Sequence, residues 1–346
     1  MTLILSRNRW LATGFWPTAL ACLIAVCVLA PIASLLVSAI SANNTQWAHL
    51  SRYVIPDAAL TTLVLLLGVG VVVVMLGTGA AWLVTAFQFP GRKVLVWALL
   101  LPLAVPTYVV AYSYLDLLHP IGPLQSLIRT TLGYSSPREF RLPDTRSMFG
   151  AILILGSVLY PYVYLSARHM FLTQPANLIE AARGLGHGPF SLFFRVALPM
   201  ARPAIVVGTT LALLETLNDV GASEFLGLQT LTVAIYTTWL TRSDLAGAAH
   251  IALTMLVLVL GLIAVERYAR RRQRFINTDQ SRPMQPRPLR RWPGLAASLF
   301  CLLPVLAGFV IPVAHLSWQA FLRLSQTGAI SSILQQAALN TILISL

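Results

Sequence analysis

The sequence predicts an all-α polytopic membrane protein, and three observations predict it. Hydrophobic residues make up 57% of the 346 and charged residues only 10%, with a mean hydropathy of +0.76. Ordinary globular domains are about 25% charged, so this chain could not cover its own surface with polar groups in water. The apolar residues also gather into runs of spanning length, about 20 residues, and only helices or closed barrels satisfy their backbone within lipid. The cations, finally, fall between those runs on alternating sides. Disorder, a disulfide scaffold and a coiled coil are excluded by the same figures.

Seven full runs read as spans: Trp16 to Ile40, Ala58 to Phe87, Val94 to Leu118, Met148 to Ala167, Pro203 to about Leu217, Ala246 to Val265 and Gly294 to Leu316. An eighth begins near Ser332. The first resembles a signal peptide, with Arg7 and Arg9 ahead of it and small residues behind, but its apolar core exceeds the usual h-region, so an uncleaved anchor is expected. Pro102 and Pro106 should kink the third span, and Tyr160-Pro161 should interrupt the fourth. Cys22, Cys27 and Cys301 sit within apolar runs with no CxxC or Cys/His cluster, which reads as buried, inert thiols and no metal site.

The net charge of +13 would suggest nucleic acid as the partner of a soluble protein. Here it reads as topology, with no nucleic acid. Placing Arg7 and Arg9 in the cytoplasm puts Arg92, Lys93, Arg168, Arg183, Arg195, Arg202 and the nine arginines from Arg267 to Arg291 on the inner side. Only Arg52, Arg129, Arg138, Arg141, Arg146, Arg242 and Arg323 fall outside, as the positive-inside rule requires. Arg270, Arg271, Arg272 and Arg274 are expected to enforce this orientation and touch anionic membrane lipid.

The chain also repeats itself. Ala59 to Leu65 recurs as Ala338 to Ile344 at an offset of 279 residues, and Leu29 to Ala33 recurs as Val310 to Ala314 at an offset of 281. The polar, basic segment 267–291 separates the copies as a cytoplasmic linker would. The expected organisation is a first half over residues 1–266, the linker, and the start of a second half over 292–346, cut off within a hydrophobic run.

Between the fourth and fifth spans lies a strongly ordered inner loop running from Glu180, Ala181 and Ala182 through Arg183, Gly184, Leu185, Gly186, His187 and Gly188 to Val196, Leu198 and Pro199. Asn177 can cap a short helix, Gly186 to Gly188 break it, Pro189 starts a second helix bearing Phe190, Phe193 and Phe194, and Pro199 should end that one before the next span. The product is a bent elbow against the membrane, shaped to enter a partner's groove.

This loop resembles the signature of the permease subunits of binding-protein-dependent ABC importers: Glu-Ala-Ala, three residues, Gly, nine residues, Ile, any residue, Leu-Pro. Glu180, Ala181, Ala182, Gly186, Leu198 and Pro199 match it, with Val196 in place of the Ile. The resemblance implies the type I ABC importer transmembrane domain in the bacterial inner membrane, with six spans in the first half and the start of a second repeat. It implies that the elbow is a coupling helix docking on an ABC ATPase subunit dimer, with Glu180 near the nucleotide-sensing part and Gly186 supplying the bend, and that a periplasmic or lipid-anchored substrate-binding protein delivers the cargo. No G-x-x-x-x-G-K-[ST] occurs, since Gly77-Thr78-Gly79-Ala80 lacks the Lys that reaches phosphate. No cofactor is therefore expected on this chain, with ATP and Mg on the partner. The two-half layout, Thr61-Thr62-Leu63, Asn218 to Ala222 and Thr230 to Tyr236 look most like the ferric-iron permeases, while thiamine, polyamine, sulfate and molybdate permeases share much of this background.

Acidic groups at membrane depth are functional candidates by default. Glu215 and Asp219, four residues apart, should share a helix face near the outer end of the fifth span, with Glu224 close by. Such a face suits a hard cation with its preference for oxygen donors; a solvated rim or an ion pair with Arg242 is the alternative. Tyr108 and Tyr112, one turn apart, could line the same path or anchor at the interface. A proton-driven secondary carrier with Glu215 and Asp219 as its relay, and a membrane anchor with no polar path, are the competing functions of other classes.

Overall fold

The computed structural model describes residues 9–40, 47–174, 180, 182, 184–186, 188–270, 285–328 and 331–345. These fall into two compact units, one within Met1–Thr62 and Gln229–Leu262, the other within Leu63–Leu228 and Ile263–Leu346. The chain begins with α1 (Arg9–Ile40) and α2 (Trp47–Ala86), each long and apolar enough to cross a membrane. A short strand β1 (Phe87–Gln88), α3 (Arg92–Ala98), α4 (Thr107–Leu117) and α5 (Pro123–Leu132) follow. Next come α6 (Met148–Thr173) and α7 (Pro189–Asn218), both of spanning length. After the short α8 (Val220–Phe225) and α9 (Leu231–Tyr236) comes α10 (Leu245–Arg270). The chain then runs through β2 (Arg287–Pro288) into α11 (Arg291–Gln326) and α12 (Ser332–Ser345).

The prolines behave differently from the sequence expectation in three places. The third span is not a kinked helix: the helical stretch from Arg92 to Ala104 and α4 meet at 90°. Val105 and Pro106 are both extended, at ψ 126 and 138, because the ring of Pro106 disfavours the helical conformation of the residue before it. Pro161, by contrast, does not interrupt α6. The Ser157 carbonyl opposite it faces Gly308, where a Cβ would collide with that oxygen.

Nor does Pro199 end the elbow's second helix, for α7 is continuous from Pro189 to Asn218. A π-helical turn over Phe193–Ala197 precedes it, so Leu198 N–H bonds to Phe193 O. Stepping the ladder back one residue makes room for a ring that would otherwise strike the carbonyl four residues earlier. The same device precedes Pro56, with a π turn over Leu50–Val54, and Pro312, with one over Leu306–Val310.

In the larger unit α6 is the central post. Gly77 of α2 and Gly208 of α7 lie so close to it that an added Cβ would stand 2.7 Å from Val163 Cβ and from Tyr162 O, respectively. The fully buried Tyr160 and the buried Tyr164 donate to the carbonyls of Leu99 and Val96, both at 2.9 Å. Those carbonyls lie at the end of α3, where helical donors run out. In the smaller unit Leu50, Ala58, Leu231, Ala234 and Ile251 form the core. There the Thr62 hydroxyl accepts from Leu231 N–H at 2.9 Å, supplying the first turn of α9.

The segment from residue 285 onward is tied to residues 87–116. β2 pairs in parallel with β1, Leu289 N–H donates to Gln88 O at 2.9 Å, and the Ser298 hydroxyl donates to Pro90 O at 2.7 Å. Further along α11, Tyr114 donates to Ala307 O at 2.6 Å, Ser113 donates to Pro312 O at 3.3 Å, and His315 Nε2 meets Asp116 Oδ2 at 2.8 Å. On α1, Cys22 and Cys27 are exposed and not buried as expected, while Cys301 on α11 is buried.

Candidate functional site: an exposed elbow and an acidic helix end

Of the expected elbow, Asn177, Ala181, Arg183 and His187 lie outside the described residues, as do residues 271–284 of the linker. Glu180 is helical and exposed, and Ala182 is buried in the core of the larger unit. Gly186 has φ +84, a left-handed conformation that Gly adopts without the Cβ penalty, and it makes the bend. Gly188 precedes Pro189, which occupies the first turn of α7, where its missing N–H costs nothing.

The elbow has two distinct faces. Leu185 and Phe190 are 81% and 80% exposed, a large apolar area with no cover among the described residues. Leu192 and Ala197 are buried, and Phe193, Val196 and Leu198 pack against the core. The motif residues therefore divide: Glu180 faces outward, Ala182, Val196 and Leu198 hold the elbow to the bundle, Gly186 makes the bend and Pro199 continues α7. Two inward contacts were illegible in the sequence. Gln174, 2% exposed, donates from Nε2 to Ala197 O at 3.0 Å. Trp82 lies among Phe171, Phe193 and Phe87, at ring-centroid distances of 5.3, 5.4 and 6.2 Å.

At the other end of α7, Glu215 and Asp219 do not share a helix face. α7 ends at Asn218, and Asp219, at φ −80 and ψ 86, turns out of it to cap α8, its Oδ1 accepting from Ala222 N–H at 2.9 Å. Glu215 is exposed and lies near Tyr162 of α6. Tyr108 and Tyr112 do come to this place, since α4 packs on α8. A Cβ on Gly221 would stand 3.0 Å from Tyr108 Cβ, and the Tyr112 and Phe225 rings are 5.9 Å apart. Glu224 is exposed on the same short helix.

Two oxygens here are buried without a hydrogen-bond partner, Asp219 Oδ2 and, one turn on, Ser223 Oγ. Within the larger unit, no Lys or Arg among the described residues forms an ion pair with Glu215, Asp219 or Glu224. The site is thus rich in oxygen acceptors. Among the described residues no group of three or more His, Cys, Asp or Glu could hold a metal ion.

Comparison with known proteins agrees with this architecture. The chain is 30% identical over 186 residues to the molybdenum transport system permease protein ModB of Escherichia coli strain K12, covering 52% of this chain and 78% of that one. It is 28% identical over 198 residues to a putative 2-aminoethylphosphonate transport system permease protein, PhnU, of Salmonella choleraesuis, covering 56% and 68%. It is 29% identical over 226 residues to a probable sulfate transport system permease protein, cysT, of Nephroselmis olivacea, covering 63% and 74%. In fold it is similar to a chain of a bacterial ABC transporter that imports the acidic polysaccharide alginate, with a TM-score of 0.61 at 17% identity over 78% of this chain and 97% of that one. Residues 73–275, which hold the elbow and both ends of α7, match the family of binding-protein-dependent transport system inner membrane components, and the chain belongs to that family as a multi-pass permease subunit of an ABC importer.

Proposed function

We propose that this permease is driven by a separate ABC ATPase dimer that docks on the elbow, and is fed by a substrate-binding protein on the opposite side of a bacterial inner membrane. The N-terminus and the elbow lie on the cytoplasmic side in this reading, and residues from 292 onward begin a second permease half. The observation that carries it is the divided elbow: an outward Glu180 beside bare Leu185 and Phe190, on a backbone anchored to the bundle by Ala182, Val196 and Leu198. ATP closes the ATPase dimer, the elbows follow, and the spans alternate between inward-open and outward-open states.

The cargo in this reading is a hard cation, ferric iron. Support comes from Glu215, Asp219 and Glu224 with no paired cation in their unit, and from the buried, unpartnered Asp219 Oδ2 and Ser223 Oγ, since hard cations take oxygen donors. A second reading, an oxyanion, is favoured by the names of the relatives, which carry molybdenum, 2-aminoethylphosphonate and sulfate.

Both are tested in vesicles holding the chain, its ATPase and its binding protein. Uptake of radiolabelled ferric iron that needs ATP supports the cation reading, and uptake of labelled molybdate in its place supports the oxyanion. Glu180→Ala should deplete the ATPase from a pull-down while the permease still inserts. Uptake without any ATPase, driven by a proton gradient, would overturn the proposal in favour of a secondary carrier.

A further inference from the structure

A coupling elbow can act in two ways: it can swing on its own hinge and push the bundle, or it can be fused to the bundle and carry it along. The contacts inside the elbow decide between them. Trp82, 6% exposed on the last turns of α2, is surrounded by rings from three other segments: Phe171 at the inner end of α6, Phe193 in the π turn of α7, and Phe87 of β1. Two of these rings approach edge-on, at interplanar angles of 67° and 89°, the geometry in which the positive edge of one ring meets the negative face of another.

The second contact closes the arrangement. Gln174, at the C-terminal cap of α6, donates to Ala197 O at the far end of the same π turn. Phe193 and Ala197 are the first and last residues of that turn, so both ends are held to elements outside α7. The first is held by Trp82, which itself packs on Phe171, and the second by Gln174. A π turn is the place where a helix deforms most readily, and here that freedom is removed by side chains of α2 and α6. The elbow's other face carries Phe190 and Phe194, 80% and 60% exposed, the latter edge-on to Phe193 at 4.9 Å between ring centroids.

We propose that Trp82 is the positioning residue of the transport cycle: its indole locks the elbow to α2 and α6, so that the three move as one rigid body and a displacement applied to the elbow reaches the spans undiminished. This rests on the coupling role proposed above for the elbow, and goes beyond it by naming the joint and the element that receives the motion.

The test places spin labels at Leu185→Cys on the elbow and Leu67→Cys on α2, in a chain carrying Cys22→Ser and Cys27→Ser. Both labelled positions are exposed, at 81% and 71%. In nanodiscs of the full chain alone, Trp82→Ala should broaden the distance distribution at least twofold, and Trp82→Phe should return it to the parent's width. In the assembly with its ATPase, the parent's separation should be the same before and after trapping with ATP and vanadate, and should shift in Trp82→Ala. An unchanged width in Trp82→Ala, or a parent separation that changes on trapping, overturns the proposal. Should Trp82→Ala fail to insert, Phe193→Leu removes the same ring contact and is read in the same way. An ATPase that never binds the parent overturns the coupling role of the elbow, and the nanodisc measurement then decides the joint by itself.

Discussion

The Tyr114 hydroxyl donates to the carbonyl of Ala307 at 2.6 Å, an oxygen that α11 cannot satisfy from its own backbone. Ile311 N–H is taken by Leu306 O in the π turn, and the next residue, Pro312, has no N–H to offer. α4 therefore supplies a donor that α11 cannot provide for itself, and the two helices are joined at the point where α11 is one donor short.

Tyr114→Phe keeps the ring and removes only the donor. A buried acceptor left without a partner costs about 1–3 kcal/mol, so the detergent-solubilised protein should unfold at lower temperature, with α11 the first segment to become accessible to protease. An unchanged melt would show that water or another donor replaces the hydroxyl.

The Asp116 carboxylate receives His315 Nε2 at 2.8 Å and Gln319 Nε2 at 3.4 Å. The His315 side chain is 6% exposed while that of Asp116 is 43% exposed, so the penalty of separation falls on the histidine. Asp116→Ala should cost about 1–3 kcal/mol and Asp116→Asn, which retains an acceptor, less than half of that. Equal losses in thermal unfolding for the two variants would remove the hydrogen bond as the cause.

At Gly208 an added Cβ would stand 2.7 Å from Tyr162 O and 2.8 Å from Val163 Cα. These are backbone atoms of a buried helix and cannot rotate away, so α7 itself would have to move off α6. Gly208→Ala is expected to destabilise by about 1–3 kcal/mol, the usual cost of overpacking. Gly261→Ala, where nothing lies within 4 Å, is the control and should be neutral or stabilising.

Asp219 carries two separable properties, the α8 cap through Oδ1 and an unpaired charge. Asp219→Asn keeps a capping oxygen and removes the charge; Asp219→Ala removes both and should cost a further 0.5–2 kcal/mol, roughly, in stability. If the carboxylate lines the path, uptake falls in both variants while only the Ala variant melts early. Normal uptake in Asp219→Asn would reduce the residue to a cap.

Glu139 lies in the loop before α6 and accepts from the backbone N–H groups of Ser135 and Ser136 at 2.8 and 3.3 Å. These hydrogen bonds, Ser135 first, hold its carboxyl below the ordinary value. Because the folded value is depressed, the turn should be fully formed above the unfolded carboxylate pKa, about 4.3, and should loosen as pH falls through the lower folded value. An NMR titration of carboxyl-labelled Glu139 checks this, and a midpoint at or above the free value would contradict it.

The spans were legible because hydropathy is a property of the run and not of any single neighbour. What the sequence left obscure depends on contacts between distant segments. Pro199 reads as a helix end, since a proline's local effect is to remove a donor; that a π turn absorbs it is decided by Gln174 and Trp82 pressing on Ala197 and Phe193. Pro106 and Pro102 look alike in a kinked span, yet only the pair Val105-Pro106 becomes extended. Glu215 and Asp219 fit a helical face by spacing, but capping α8 drew Asp219 out of the helix. His315 carries no recognisable spacing at all, and its partner Asp116 lies 199 residues away. The elbow was legible because its chemistry is local: the bend at Gly186, the outward Glu180 and the start at Pro189 are written within ten residues.

The pairing of β1 with β2, together with the Ser298, Tyr114 and His315 contacts, has an implication for heredity as much as for mechanics. Among the described residues, these contacts join residues 287–315 to residues 87–116 directly, from either side of positions 271–284. A stop and a fresh start codon placed in that stretch should yield two polypeptides that find each other in the bilayer, and gene fission or fusion at this point should leave the working unit intact.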